Sequence, residues 1–109
     1  MKMNGFAFTE TDWSSIPAEA HPGDVGEALW RTLTFGDIRV RRVDYSVGYE
    51  ADHWCRKGHI LFVLEGELVT TLDDGRTVIT HAGNSYQVSD DAEAHRSSAP
   101  RGAKLLIVD

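Results

Sequence analysis

The sequence has one cysteine, three prolines and no long apolar run, and these low counts exclude several classes of protein. A lone cysteine cannot form an intramolecular disulfide, so Cys55 fits a reducing compartment. No segment approaches the roughly 20 consecutive apolar residues of a membrane-spanning helix, and residues 1–13 lack the apolar run of a secretory signal. The sequence therefore predicts a cytoplasmic protein that has no membrane as a partner.

Basic residues are also scarce relative to acidic ones. The chain has 11 Lys and Arg against 17 Asp and Glu, which gives a net charge of −6. This balance excludes a nucleic acid as the main partner and disfavours highly anionic substrates. Three arginines do cluster, at Arg39, Arg41 and Arg42. Because Asp37 and Asp44 bracket them, they are predicted to lie on a solvated or salt-bridged strand.

From residue 29 onward the sequence favours β-strands almost throughout. Short runs rich in Val, Ile, Leu, Thr and aromatic residues alternate with turn signals, of which residues 73–76 form the strongest hairpin signal. The predicted strands are 29–35, 38–47, 59–64, 68–72, 77–80, 85–88 and 104–108, with a turn at 64–67. Because no long helical pattern lies between strands this closely spaced, we expect an antiparallel sandwich or barrel.

The first 28 residues differ from the rest. They contain Pro17 and Pro22, and no helical period lasts for long. We expect residues 1–28 to form an irregular arm with a short helical turn around 17–20, which packs its aromatic residues onto a β-barrel domain of residues 29–109. A chain of 109 residues has room for one modest core, so a single globular domain is predicted.

Most of the candidate site residues lie in residues 48–66. His53 and Cys55 are two residues apart, so on an extended strand their side chains leave the same face. Residues 56–58 are predicted to form a tight turn, after which His59 opens the next strand. His95 follows a polar loop and could close a site on the interior face of a barrel. Three imidazoles and a thiolate are enough ligands for a tetrahedral zinc site, and imidazole also suits Fe, Cu and Ni.

Each of these residues also has an ordinary structural role open to it. His53 and His59 could be plain strand histidines, and Cys55 could be a small apolar residue of the core. Tyr86 is a candidate for a pocket wall, where its phenol could donate a hydrogen bond or a proton to a bound substrate. It could equally be an edge or core tyrosine. His81, at the end of a predicted strand, is expected on the surface.

The same residues resemble the two motifs of the cupins, which are small jelly-roll β-barrel proteins. The first cupin motif runs Gly, about five residues, His-x-His, three or four residues, Glu, six residues, Gly. The corresponding residues of this chain are Gly48, His53, Cys55, His59 and Gly66. The second motif runs from a glycine to a histidine, and Gly83 and His95 resemble it with one extra residue between them. Relative to the usual motif, a cysteine replaces one histidine and a histidine replaces the glutamate.

The run Asp52-His53-Trp54-Cys55 is similar to a compact cupin subgroup that is named after these four residues (DHCW). The resemblance, which covers about residues 35–109, implies an all-β, single-domain jelly-roll barrel. It also implies that His53, Cys55, His59 and His95 converge on one divalent transition metal (Zn, Fe, Ni or Cu). Cupins of this size are commonly homodimers, so the resemblance implies a homodimer here.

Two functions are consistent with these predictions. The first is a metal-dependent enzyme, of the dioxygenase, isomerase or lyase type, that acts on a small polar molecule. The second is a non-catalytic module that binds a metal or small ligand or senses redox state through its thiolate. The number of protein ligands separates them, because three leave a position open for substrate whereas four close the site. A third possibility is a barrel that binds a small apolar ligand while Cys55 stays free.

Overall fold

The computed structural model describes residues 2–109, and these form an all-β domain, as predicted, with nine strands in place of the seven expected. The strands are β1 (Glu19–Pro22), β2 (Glu27–Phe35), β3 (Ile38–Tyr45), β4 (Tyr49–Glu50), β5 (His59–Leu72), β6 (Thr77–His81), β7 (Ser85–Val88), β8 (His95–Ala99) and β9 (Ala103–Val108). A 3-10 turn, Trp13–Ser15, precedes them, and Asp12 caps it by accepting a hydrogen bond from the backbone N–H of Ser14. Within the described residues, no helix has the length and apolar character needed to cross a membrane.

Strand β5 is shared by the two halves of a curled antiparallel sheet. The strand order is β1-β2-β3-β9-β5-β8-β4, and β6 and β7 also pair with β5. Residues 60–66 of β5 pair with β9, whereas residues 67–72 pair with β6 and β8. A bulge between Val63 and Glu65 and a positive φ of 78° at Gly66 bend the strand between these two parts. The sheet therefore turns a corner within β5 and curls into a half-barrel.

The observed strands differ from the predicted ones in several places, and the short strand β4, Tyr49–Glu50, lies outside every predicted strand. The turn predicted at 64–67 lies inside β5, because the bulge and Gly66 bend this strand without ending it. Strand β8 was not predicted, since its sequence, His-Arg-Ser-Ser-Ala, is mostly polar. Strand β1 lies where a helical turn and an irregular arm are expected, and it pairs with β2. The division at residue 28 between arm and barrel stays a prediction, and Met1 lies outside the described residues.

Three side chains on the inner face of the sheet form a fully apolar row. Val43 of β3, Leu105 of β9 and Val63 of β5 are paired across the strands, and each is 0% exposed. Side chains two residues apart on a strand share a face, so the residues two positions before each of these three point into the same interior. We call these three residues the apolar row, and they form the centre of the core.

The same three strands carry polar residues farther along the inner face. Arg41 lies two residues from Val43 on β3, and Arg39 lies two residues farther still. His59 opens β5, and Asp109 directly follows β9, where its backbone exchanges hydrogen bonds with Arg39. We call Arg39, Arg41, Asp109 and His59 the polar end of the inner face. It adjoins the candidate site.

Candidate metal centre

Cys55 and His95 are held side by side by a backbone bridge. The N–H of Cys55 donates to the carbonyl oxygen of His95 at 2.7 Å, and the N–H of His95 donates to the carbonyl oxygen of Cys55 at 2.9 Å. Residues that pair directly across an antiparallel bridge project their side chains to the same side. Cys55 is half-buried and His95 is 2% exposed, so this side is the interior.

His59 completes a three-residue group from the start of β5. Its side chain is 7% exposed, and its Nε2 lies 3.2 Å from Nε2 of His95. Sγ of Cys55 and one ring nitrogen from each histidine all lie within 4.8 Å of one another. A thiol and two imidazoles this close together can bind a metal ion. We call Cys55, His59 and His95 the metal group.

The structure does not bring His53 into the metal group. Its side chain is 66% exposed, and its Nδ1 lies 2.7 Å from Oδ1 of Asp52. Residues 51–54 are not in a strand, so the two-residue alternation that was expected to align His53 with Cys55 is absent there. His53 nevertheless lines the cavity beside the group, and its role as a fourth ligand stays a prediction. His81, by contrast, is an exposed strand residue whose Nδ1 lies 3.4 Å from Glu67.

The outer nitrogens of both histidine rings face acceptor groups. Nδ1 of His95 lies 2.9 Å from the backbone carbonyl oxygen of Glu93, to which it donates, so its Nε2 lone pair faces the metal group. Nδ1 of His59 is buried without a hydrogen bond and lies 3.7 Å from Oδ2 of Asp109. Carbonyls and carboxylates behind the rings are the usual partners that orient metal-binding histidines.

The surroundings shift the pKa values of Cys55 and His59 toward the protonation states that metal ligands need, whereas the pKa of His95 shifts the other way. The hydrogen bond with His95 lowers the pKa of the Cys55 thiol below its ordinary value, although burial opposes this change. The same contact raises the pKa of His95. Burial, together with the positive charge of His95, lowers the pKa of His59 to about 4. His59 is therefore neutral at neutral pH, and the Cys55 thiol loses its proton more readily than an ordinary cysteine thiol does.

The geometry and chemistry of these donors fit a transition metal. Two imidazole nitrogens on a tetrahedral ion stand about 3.4 Å apart when each metal–nitrogen bond is about 2.05 Å. The two Nε2 atoms of His59 and His95 are 3.2 Å apart, close to that value. A set of one thiolate and two imidazoles suits Zn, Fe, Ni or Cu and disfavours Mg and Ca. Three protein ligands also leave one tetrahedral position open, as in catalytic sites.

The metal group forms part of the wall of a cavity of about 250 Å³. Tyr86 contributes to the same wall, and its hydroxyl lies 3.1 Å from Nε2 of His59. Burial raises the pKa of Tyr86, so the phenol keeps its proton and can donate it in a hydrogen bond. The place of Tyr86 is thus on the cavity wall, while its catalytic role stays a prediction.

Sequence reasoning missed the part that Arg41 and Asp109 play at this cavity. Two of the three clustered arginines are salt-bridged, as expected, but their partner is neither Asp37 nor Asp44. Arg39 and Arg41 instead contact the carboxylate of Asp109, at 2.8 and 2.9 Å. Arg41 is only 6% exposed, so it is not solvated. The available signal was strand alternation, which places Arg39 and Arg41 on the same face as the buried Val43.

Comparison with known proteins identifies the fold. A scan of protein-family models finds no match, and a search of curated proteins finds none either. Among solved structures, the polyketide cyclase RemF from Streptomyces resistomycificus is 20% identical with a TM-score of 0.77, over 94% of this chain and 78% of that one. A predicted oxalate decarboxylase from Thermotoga maritima is 20% identical with a TM-score of 0.76, over 92% of this chain and 96% of that one.

A third structure, an RmlC-like cupin from Shewanella frigidimarina, extends over nearly the whole chain. It is 20% identical with a TM-score of 0.69, over 98% of this chain and 92% of that one. Likeness at this level of identity shows the fold, and it agrees with the curled antiparallel sheet. The chain has the all-β jelly-roll fold of the cupins.

Proposed function

We propose that this chain is a metal-dependent enzyme that acts on a small polar molecule. The observation that carries the proposal is the position of the metal group, Cys55, His59 and His95, on the wall of a cavity of about 250 Å³. Three protein ligands would leave a coordination position free for substrate or water. Structural neighbours of this fold include proteins named as a polyketide cyclase and a predicted oxalate decarboxylase, which supports an enzymatic use of the fold.

The residues around the cavity have distinct roles in this proposal. Cys55, His59 and His95 would hold the metal, which when bound acts as a Lewis acid toward a substrate oxygen. Asp109 and the carbonyl of Glu93 would orient the two imidazole rings from behind. Tyr86 would donate a hydrogen bond to a substrate oxygen, because its buried phenol stays protonated. Dioxygenase, isomerase and lyase reactions are all compatible with these roles.

His53 supports a second candidate function. It lies at the cavity wall within the run Asp52-His53-Trp54-Cys55, which in this proposal places the chain in the DHCW subgroup of cupins. If His53 closes onto the ion as a fourth ligand, the open position is lost and the protein becomes a metal-binding or redox-sensing module. Either function needs Cys55 in its reduced form, which agrees with a cytoplasmic location.

Elemental analysis of freshly purified protein and of three histidine variants tests the proposal. We expect near-stoichiometric Zn, Fe, Ni or Cu in the unmodified protein and loss of that metal in His59→Ala. His53→Ala and the surface control His81→Ala should keep it, because both side chains are 66% exposed and lie outside the metal group. In a cobalt-loaded sample, Cys55→Ser should remove the thiolate-to-metal absorption band.

Each of the other outcomes has a defined meaning. Metal retained by His59→Ala would contradict the metal group. Metal lost from His53→Ala but not from His81→Ala would make His53 the fourth ligand and favour the closed module over the enzyme. An unchanged cobalt spectrum in Cys55→Ser would mean that Cys55 is a packing residue and not a metal ligand.

We also propose that the protein is a homodimer that pairs through the outer face of β5. Ile60, Phe62 and Leu64 alternate along this strand on the outer face, and they are 49%, 39% and 37% exposed. A second copy would remove this row of apolar side chains from water. Sedimentation velocity should therefore show a dimer that Phe62→Ser converts to a monomer. Phe8→Ser, which changes a fully exposed arm residue, should leave the dimer intact. If the unmodified protein is a monomer at high micromolar concentration, the dimer is refuted.

A further inference from the structure

The cavity beside the metal group has a wall that is positively charged. Arg39, Arg41 and Lys57 line it, whereas no carboxylate from residues 2–109 does so. Asp109 contacts both arginines but does not line the cavity. Two guanidinium groups thus share one carboxylate, so one of their two positive charges is not matched, and the exposed side chain of Lys57 adds a further positive charge. Leaving a buried charge without a partner is costly, so this arrangement favours an anionic occupant.

Arg41 is the group that presents this unmatched charge to the cavity. It is 6% exposed, and its guanidinium carbon lies 4.6 Å from the centre of the Trp30 ring. Nη2 donates to Oδ2 of Asp109 at 2.9 Å, while Nε is buried with no hydrogen-bond partner in the structure. A guanidinium that lies over an aromatic ring still carries its N–H groups in its own plane, and this planar set of donors suits a carboxylate.

A ligand on Arg41 would also be close to the metal group. Oδ2 of Asp109 lies 2.9 Å from Nη2 of Arg41 and 3.7 Å from Nδ1 of His59, so these two residues flank one oxygen atom. Much of the remaining wall is apolar or aromatic, with Leu61 and Ile107 among the lining residues. The cavity therefore combines a cationic anchor, a nearby metal group and apolar surface.

We infer that the substrate is a small monocarboxylate with an apolar body, whose carboxylate binds Arg41 while Lys57 adds positive charge at the cavity. This inference rests on the proposed function, since it takes this cavity as the substrate site, and it narrows the small polar molecule to a carboxylic acid anion. One carboxylate matches the one guanidinium charge that Asp109 leaves unmatched. A phosphate dianion carries more charge and needs more donors than Arg41 has free. The net charge of −6 already disfavours highly anionic ligands.

Calorimetric titration with isobutyrate and its neutral counterpart isobutyramide tests this inference. Both probes have the same apolar body and no second oxygen group with which to chelate a metal. We expect isobutyrate to bind about tenfold more tightly than isobutyramide, because a hydrogen bond to a charged group contributes about 1.5 kcal/mol, which corresponds to that factor. Inorganic phosphate, the third probe, should bind more weakly than isobutyrate. Phosphate as the tightest of the three would overturn the assignment to a carboxylate.

Arg42 provides a matched control for Arg41. It is the next residue on β3 and lines a different recess, which also contains the carboxylate of Asp44. Arg41→Gln should remove the preference for isobutyrate, whereas Arg42→Gln should keep it. If Arg41→Gln does not fold, Lys57→Gln takes its place. Its control is Arg56→Gln, because Arg56 and Lys57 are both exposed but only Lys57 lines the cavity. A preference that survives in the folded Arg41 variant, or one that Lys57→Gln leaves undiminished when that variant is used, would refute the inference.

The titrations are made on metal-loaded and on metal-free protein, with the metal content of each sample measured. Equal affinity for the two organic probes in protein that holds its metal refutes the carboxylate inference and leaves the proposed function intact. Protein that binds no metal refutes the proposed function. In that case a preference for isobutyrate that depends on Arg41 would still assign the cavity to a carboxylate ligand.

Discussion

The apolar row and the polar end are adjacent parts of one sheet face, and they differ in the chemistry of their buried side chains. The apolar row, Val43, Leu105 and Val63, is 0% exposed and contains no polar atom in its side chains. The polar end lies on the same strands and is also largely buried, but it contains cations, a carboxylate and an imidazole. The same backbone pairing therefore supports a packed core in one part and a polar cluster beside the cavity in the other.

The difference between these two regions indicates which residues fold the chain and which serve a ligand. Apolar burial is favourable without further conditions, whereas a buried charge stabilises a protein only when it is well paired. At the polar end the pairing is incomplete, since Nε of Arg41 and Nδ1 of His59 have no hydrogen-bond partner. Buried polar groups that lack a partner lower the stability of the fold, and such groups are expected at functional sites. The incomplete pairing thus marks the polar end as the functional side of the interior.

The largest effect on stability is expected from Leu105→Ala in the apolar row. Removal of this fully buried side chain leaves a cavity and should lower the free energy of unfolding by about 2 to 5 kcal/mol. Leu105 does not line the cavity beside the metal group, so the folded variant should keep its metal. Urea unfolding and elemental analysis on the same samples check both expectations. A variant that unfolds like the unmodified protein, or one that is folded but metal-free, would contradict the separation of the two regions.

The sequence was sufficient to predict the fold class but not the composition of the polar end. Alternating apolar residues and turn signals predicted most strands, because these signals are local. Strand β8 and the uninterrupted β5 were missed, since a polar strand and a bulged strand are stabilised by their neighbours and not by their own sequence.

The candidate site shows the same limit. The spacing of Cys55 and His59 along the chain drew attention to both residues, and the polar loop before His95 added that residue. Asp109 could not be linked to Arg39 from the sequence, because they are 70 residues apart and meet only through the pairing of β3 with β9. Long-range pairing of this kind depends on the whole sheet, so a single sequence pattern does not reveal it.

A smaller and pH-dependent effect is expected from Asp109→Asn at the polar end. Burial opposes ionisation of this carboxyl, but the hydrogen bond from Arg39 and the charges of Arg41 and Arg39 outweigh it and hold its pKa below the ordinary value. The ionised form therefore stabilises the fold, and Asp109→Asn should lower the free energy of unfolding at pH 7 by about 2 kcal/mol. This loss of free energy of unfolding is smaller than that expected for a fully buried ion pair, because the side chain of Arg39 is 35% exposed.

The pH at which this stabilisation disappears distinguishes a charge effect from a packing effect. A carboxyl whose pKa is lower in the folded state stabilises the protein fully above its unfolded pKa of about 3.9, and this contribution is lost as the pH falls toward the folded value. The difference in stability between metal-free Asp109→Asn and the unmodified protein should therefore be constant from pH 7 to about pH 5 and shrink below about pH 4. Asp44→Asn, which alters the half-buried pair with Arg31, should cost less than about 1 kcal/mol. A difference for Asp109→Asn that is the same at pH 3 as at pH 7 would mean that Asp109 contributes through its shape and hydrogen bonds, and the polar end would then resemble the apolar row more closely than we propose.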